Sequence, residues 1–486
     1  MQTQKIGLLL GPIVFLGIYA GISPEGLSPE GVSLLAVTFW IAIWWITEAI
    51  PIAATALLPL VVFPLTGIMD LKPTSIPYSD PMVLLYMGGF MIAVSIEKWN
   101  LHKRIALTII SYLGTDFKRI ILGFMVATAF LSMWISNTAT SLMMLPIAIA
   151  VVVQMAQSNE GIKNNLGQSL MLGIAYSASI GGMATIIGTP TNIILIGVVN
   201  STYGVEISFA EWMLVSFPIS CLLLIVCWYF LVNHAFKFPE NLRMSGGKEE
   251  INRQLKSLGP ISTQEKKVLW VFLGVSFSWI SRSFLLQAYV PVLNDTIIAL
   301  SGVLLLFVIP AGNGKKENLL DWKVAEKIPW GILILFGGGL ALAEGFQETG
   351  LANWIGEQFV LLKNVPFWIF LLIIIAAVNF LTEITSNVAT ASMLLPILSA
   401  VALAMGVHPF GLMIGATLAA SCAFMLPVAT PPNAVVFGSG YLTIPVMMRT
   451  GIFLNLLSIV LILLVTLFYL PLVWNISLLN FPAEWR

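Results

Sequence analysis

The sequence predicts an all-α polytopic membrane protein with about eleven transmembrane helices and two re-entrant hairpins. Three observations carry this expectation. The 486 residues are 58% hydrophobic and only 9% charged, with mean hydropathy +0.94. A soluble domain has about 25% charged residues, so this chain has too few to cover a surface that faces water. The apolar runs are about 17–25 residues long, the length of helix that spans a bilayer, and the short alternating segments of a β-barrel are missing. The third observation is a polar stretch that occurs twice inside long apolar segments. Ser136-Asn137-Thr138-Ala139-Thr140, followed by Met143-Met144-Leu145-Pro146-Ile147, returns 250 positions later as Ser386-Asn387-Val388-Ala389-Thr390, followed by Met393-Leu394-Leu395-Pro396-Ile397. Small hydroxyl and amide groups are costly at membrane depth unless they coordinate something.

The first span covers about residues 5–22. Lys5 before an apolar run imitates a signal peptide, but the length of the run and the spans behind it favour a retained helix. Glu25 and Glu30 follow in a loop without Lys or Arg. Spans at 32–49 and 52–68 are separated by Glu48-Ala49-Ile50-Pro51, where Glu48 reads as a helix-end carboxylate at the interface. Residues 81–98 carry Gly88-Gly89 and lead to Lys98, His102, Lys103 and Arg104. The segment 104–114 is amphipathic and shorter than a span, as suits a helix lying along the interface.

Residues 119–157 are too long for one span and are interrupted at their centre. Two half-length helices meeting at Ser136-Asn137-Thr138 account for both features. Such a hairpin is tolerated only where its tip is buried in protein or faces water. Residues 168–187 run into Gly188-Thr189-Pro190-Thr191-Asn192, a break at mid-span, and 193–199 continue beyond it. A span at 212–233 precedes the longest polar stretch, 237–267, with Lys237, Arg243, Lys248, Arg253, Lys256, Lys266 and Lys267. Spans at 268–286 and 290–310 follow, then the loop 312–328 with Lys315, Lys316, Lys323 and Lys327. Residues 330–346 hold Gly337-Gly338-Gly339, which permit close helix contact or a bend. Residues 366–405 form the second hairpin, 409–427 lead to the second break, Ala429-Thr430-Pro431-Pro432-Asn433, and 451–473 form the last span.

The basic loops near 98–119, 237–267 and 312–328 fall on one side together with the N-terminus. The positive-inside rule then places the N-terminus in the cytoplasm and the C-terminus outside, in a multi-pass protein of the inner (plasma) membrane. Trp44-Trp45 and Trp228-Tyr229 suit interfacial anchors, and His102, His234 and His408 sit near span ends. Cys221, Cys227 and Cys422 lie in apolar segments without paired spacing and read as small core residues. The formal net charge is +0, which gives no basic surface for nucleic acid. No Walker, Ser-His-Asp or zinc signature is present, so enzymatic roles have no support.

At the 250 offset Gly88-Gly89 meets Gly338-Gly339 and Leu101 meets Leu351. Ser136, Asn137, Ala139, Thr140, Met143, Leu145, Pro146, Ile147, Ala150 and Val151 each meet an identical residue. The two breaks match at a slightly smaller offset. Broken helices at matching positions in two halves point to a transporter of inverted repeats with its site near the midplane.

No Lys or Arg occurs from 120 to 162, from 164 to 236 or from 364 to 448, the windows that hold both tips and both breaks. An anion there would find only hydroxyls, amide N–H groups and the positive ends of half-helices. A dianion needs more, and a bound cation would supply it. Unwound carbonyls with Ser, Thr and Asn oxygens suit Na⁺. One Na⁺ site is expected from Ser132, Ser136, Asn137 and backbone near Gly188, and a second from Thr382, Thr385, Asn387 and backbone near Ala429, with the substrate between the tips. Proton coupling is the alternative. Glu383 is the only acidic residue between 364 and 448, and its counterpart at the 250 offset is Met133. Glu383 either takes part in transport or holds the hairpin by bonding backbone.

The paired Ser-Asn-Thr type motifs resemble those of the divalent anion/Na⁺ symporter family, the bacterial and animal dicarboxylate, citrate and sulfate cotransporters. So do Ile46-Thr47-Glu48-Ala49-Ile50-Pro51 and Leu426-Pro427-Val428-Ala429-Thr430-Pro431-Pro432-Asn433. The likeness covers nearly the whole chain. It implies Na⁺-driven symport of C4-dicarboxylates (succinate, malate, fumarate) into the cell, a homodimer, and an elevator-like motion of a transport domain against a scaffold. The alternative on the same fold is a proton-coupled or exchanging carrier of citrate, sulfate or another divalent anion. The resemblance places the substrate carboxylates on Ser136-Asn137-Thr138 and Ser386-Asn387-Val388, with Thr189, Thr430 and Pro431 at the breaks. It divides the chain into scaffold helices (1–115 and 268–362), transport-domain halves (116–235 and 363–486) and a cytoplasmic linker (236–267). Val388 departs from the pattern, because a methyl replaces the hydroxyl that Thr138 keeps. That position is expected to affect discrimination among di- and tricarboxylates.

Overall fold

Local chemistry sets where the helices of this chain begin and end. In the computed structural model, which describes residues 2–113, 116–155, 160–236, 238, 247–314, 316–358 and 365–485, Ser28 opens the helix Pro29–Thr47 by accepting from Gly31 N at 3.0 Å. Ser208 with Glu211 and Ser262 with Glu265 form capping boxes at the starts of Phe209–Phe230 and Thr263–Ser281. Glu48 ends Pro29–Thr47 in a left-handed conformation (φ 47°), its N–H returning to Trp44 O. The expected basic residues Lys237, Arg243 and Lys315 and the expected boundaries at 115 and 362 lie outside the described residues.

Among the described residues, eight helices are long and apolar enough to cross a membrane. The segment expected as a span at 52–68 holds two short helices instead, Ile52–Thr55 and Leu58–Thr66. Pro59, in the first turn of the second helix, has no amide proton to bond back across the break. The described part of the segment expected at 104–114 belongs to the thirteen-residue helix Leu101–Leu113, whose apolar side is buried.

Both hairpins form. The first joins Phe117–Ser132 to Asn137–Met155 and the second joins Phe367–Leu381 to Asn387–Met405. Both breaks form as well. Glu160–Met183 stops before Pro190–Tyr203, and Pro409–Ala420 stops before Pro431–Phe437. The helix after each break packs against the hairpin of the other half: Pro190–Tyr203 against Asn387–Met405, and Pro431–Phe437 against Asn137–Met155. This exchange brings four discontinuous elements to one place.

Around them, the helices Pro81–Lys98, Asp295–Val308 and Trp330–Glu348 make close contacts. Within the glycine triplet, a Cβ on Gly338 would collide with the Ala56 backbone, whose carbonyl accepts from Tyr78 Oη at 2.5 Å. Arg282, 2% exposed, pairs with Asp295 at 2.8 Å and Glu206 at 2.9 Å, and Asp295 also accepts from Phe209 N at 2.9 Å. That network ties the start of Phe209–Phe230 to the end of Thr263–Ser281.

Candidate functional site

The two hairpin tips place the same atoms in the same relation. Ser132 Oγ lies 2.5 Å from Asn137 Oδ1 and 2.7 Å from Ala178 O. Thr382 Oγ1 lies 2.6 Å from Asn387 Oδ1 and 3.1 Å from Ala420 O. Each hydroxyl has one proton and faces two acceptors, so each cluster holds more oxygen than its protons can serve. At Asn137 the surplus can be met in two ways. With the amide turned, its nitrogen donates to Ser132 Oγ at 2.5 Å and to Ala178 O and Gly188 O at 3.2 Å. With the oxygen facing inward, four oxygens gather around one point, an arrangement that suits a hard cation.

Close backbone approach makes the first cluster possible. A Cβ on Gly182 would sit 2.6 Å from Asn137 Oδ1, so only glycine lets the tip reach the break. At the break, Asn192 Nδ2 donates to the carbonyls of Gly182 (3.3 Å), Met183 (3.1 Å) and Thr185 (2.7 Å). In the other half, Asn433 Nδ2 donates to Ala423 O (3.1 Å) and Leu426 O (2.9 Å). Both side chains are fully buried, and neither Oδ1 has a donor. Acceptors therefore exceed donors at both breaks. The breaks also touch each other: Thr191 Oγ1 is 2.9 Å from Ser421 Oγ, and the Tyr176 and Phe424 rings are 5.1 Å apart.

The remaining expected site residues fall as follows. Ser136 Oγ accepts from Ala139 N at 3.2 Å, while Ser386 makes no capping bond. Thr138 and Val388 are half-buried, and Val388 packs among hydrophobic residues. The Thr385 hydroxyl meets Thr390 Oγ1 at 2.7 Å and donates to Leu381 O at 2.9 Å, away from the Thr382–Asn387 pair. Thr189 and Thr430 are buried at the starts of the post-break helices, where Thr430 Oγ1 accepts from Asn433 N at 3.3 Å. Pro431 is exposed and Ala429 buried, the Ala429 N–H donating to Leu426 O at 3.2 Å.

Glu383 bonds backbone. Its carboxylate accepts from the N–H groups of Phe424 (2.7 Å), Met425 (2.9 Å) and Leu426 (3.0 Å), and from Asn455 Nδ2 (2.7 Å). Asn379 Nδ2 joins the same layer by donating to Cys422 O at 2.8 Å.

The fold adds residues that sequence windows could not show. Lys103, His102 and Glu97 line a cavity of about 390 Å³ along the first hairpin, together with Ile135 and Thr140. The first hairpin, free of cations in its own sequence window, thus has the Lys103 side chain beside it in space. Trp134 at the first tip stacks on Phe209 (5.9 Å) and meets the edge of Phe272 (5.0 Å), while its counterpart Ile384 is 66% exposed.

Residues 2–476 match the family model described as "Sodium:sulfate symporter transmembrane region". The chain is 48% identical over 482 residues to the sodium-dependent dicarboxylate transporter SdcS of Staphylococcus saprophyticus, covering 98% of this chain and 93% of that one. It is 46% identical over 483 residues to SdcS of Staphylococcus aureus, with the same coverage. Among solved structures, the fold is similar to the Alcanivorax borkumensis YdaH transporter (TM-score 0.58, 13% identity, 96% of this chain and 98% of that one). It is also similar to Neisseria gonorrhoeae MtrF (TM-score 0.52, 13% identity, 95% and 94%).

Proposed function

From the premise that this chain belongs to the sodium:sulfate symporter family, we propose that it is a secondary transporter that couples Na⁺ entry to uptake of C4-dicarboxylates such as succinate. The observation that carries this reading is the pair of like clusters, Ser132–Asn137–Ala178 and Thr382–Asn387–Ala420, each gathering hydroxyl, amide and carbonyl oxygens at a hairpin tip, the first with the Asn137 oxygen facing inward. A cation in each cluster satisfies the surplus oxygens. It also supplies the positive charge that the Ser136-Asn137-Thr138 and Ser386-Asn387-Val388 tips need to hold a dianion between them. Ser136 and Gly188 complete the first ion site in this reading, and Thr385 and Ala429 lie beside the second. Thr189, Thr430 and Pro431 border the substrate at the breaks.

The exchange of post-break helices between halves supports an inverted-repeat arrangement in which tips and breaks move as one body. In this reading they move against a scaffold that contains Pro29–Thr47, Pro81–Lys98 and Trp330–Glu348, in an elevator-like step within a homodimer in the lipid bilayer. The N-terminus is cytoplasmic and the C-terminus outside. Uptake of labelled succinate into proteoliposomes tests the coupling. A Na⁺ gradient drives accumulation and a pH gradient alone does not; the reverse result would assign a proton-coupled carrier.

A further inference from the structure

The two cation clusters are alike in their oxygens and unlike in their charge. Position 383 corresponds to 133 at the 250 offset, and Leu426 corresponds to Thr185 at an offset of 241. In the first half this pair is joined by a neutral bond, Thr185 Oγ1 donating to Met133 O at 2.5 Å. In the second half the Glu383 carboxylate does the joining. It gathers the N–H groups of Phe424, Met425 and Leu426, with Asn455 Nδ2 as a fourth donor. The same two chain positions thus clamp each break, once with dipoles and once with a full negative charge.

That charge is 3% exposed, and among the described residues no ion pair includes it. Its partners are all donors, as an ionised carboxylate requires. Hydrogen bonds spread such a charge but do not cancel it, and a buried ion without a counter-ion is strongly disfavoured. Thr382, whose hydroxyl belongs to the second oxygen cluster, is the adjacent residue. The first cluster has Met133 in the corresponding place.

We propose that Glu383 is a positioning residue that makes the cation sites unequal, so that the Thr382–Asn387–Ala420 site binds Na⁺ more tightly and fills first. The carboxylate holds the Phe424–Leu426 backbone in register and supplies the counter-charge the first site lacks. Occupation of the second site then neutralises the buried charge before the dianion arrives. This inference rests on the reading of both clusters as Na⁺ sites.

The test is Na⁺ titration of the melting temperature of the purified full-length protein, without substrate, at constant ionic strength with K⁺ as the replacing ion. Wild type is expected to gain stability with Na⁺. Glu383→Gln is expected to need at least about tenfold more Na⁺ for half the shift, and Glu383→Asp to recover part of the loss. Should Glu383→Gln not fold, Asn387→Ala and Asn137→Ala decide the matter. The low-Na⁺ part of the curve disappears in Asn387→Ala and survives in Asn137→Ala. A clear wild-type shift with the same midpoint in Glu383→Gln, or equal midpoints in the two asparagine variants, overturns the inequality alone. Identical melting of wild type in Na⁺ and K⁺ overturns the Na⁺ sites themselves.

Discussion

Thr382 Oγ1 stands 2.6 Å from Asn387 Oδ1, five residues further on, and its single proton is shared between that oxygen and Ala420 O at 3.1 Å. Ser132 and Asn137 repeat the relation in the first half. A bent helix pair is the simplest way to bring a hydroxyl and an amide five residues apart into contact while leaving both open to a third ligand. The helix before each break supplies the carbonyl that completes the cluster.

Removing either amide should disable the ion site in its half. Asn137→Ala and Asn387→Ala each delete one coordinating oxygen from its cluster. The Na⁺ requirement for uptake is expected to rise by about tenfold to a hundredfold. Full uptake at unchanged Na⁺ in both variants removes these residues from the mechanism.

Gly182→Ala tests the close approach that brings the first tip to the first break. The added methyl falls 2.6 Å from Asn137 Oδ1. Overpacking of this kind costs about 1–3 kcal/mol. Na⁺-dependent uptake is expected to fall while the protein still inserts and purifies as wild type. Wild-type transport would mean that this contact is dispensable.

Val388→Thr restores at the second tip the hydroxyl that Thr138 provides at the first. Val and Thr match in shape, and Val388 is half-buried against hydrophobic neighbours, so the change adds a hydroxyl without adding bulk. Competition of unlabelled succinate, citrate and sulfate against labelled succinate is expected to change in rank or spacing. An unchanged series would take position 388 out of substrate discrimination.

The Arg282–Asp295 pair gives a test of the frame. Both side chains are nearly fully buried, and Asp295 also holds Phe209 N. Asp295→Ala leaves the buried guanidinium with the half-exposed Glu206 in place of two carboxylates and is expected to cost about 3 kcal/mol of stability. The double variant Arg282→Met/Asp295→Leu removes both charges and should melt above Asp295→Ala. Equal melting of the two would mean that the poorly paired guanidinium is not what destabilises the single variant.

Much of this was legible in the sequence. The hairpins announce themselves because Ser136-Asn137 and Ser386-Asn387 interrupt runs too long for one span, and a Gly-Thr-Pro or Ala-Thr-Pro break follows each in the same order. Residue type alone names Ser132, Asn137, Thr382 and Asn387 as oxygen donors. The carbonyls of Ala178 and Ala420 carry no such mark, since any residue can offer them. The direction of the Thr385 hydroxyl depends on Thr390, five residues on across the tip, which a motif does not encode. The break inside 52–68 was signalled by Pro59, which mean hydropathy outweighs. Lys103 reaches the first hairpin only through the fold, from outside the windows scanned for charge.

That lysine sets the most direct test of the central claim, that ions held by neutral oxygens stand in for side-chain cations. Calorimetric titration of the purified protein with succinate, in Na⁺ and in K⁺, for wild type and Lys103→Ala, separates the two sources of positive charge. The account predicts succinate binding in Na⁺ for both proteins and none in K⁺. Binding that persists in K⁺ and vanishes in Lys103→Ala would contradict it.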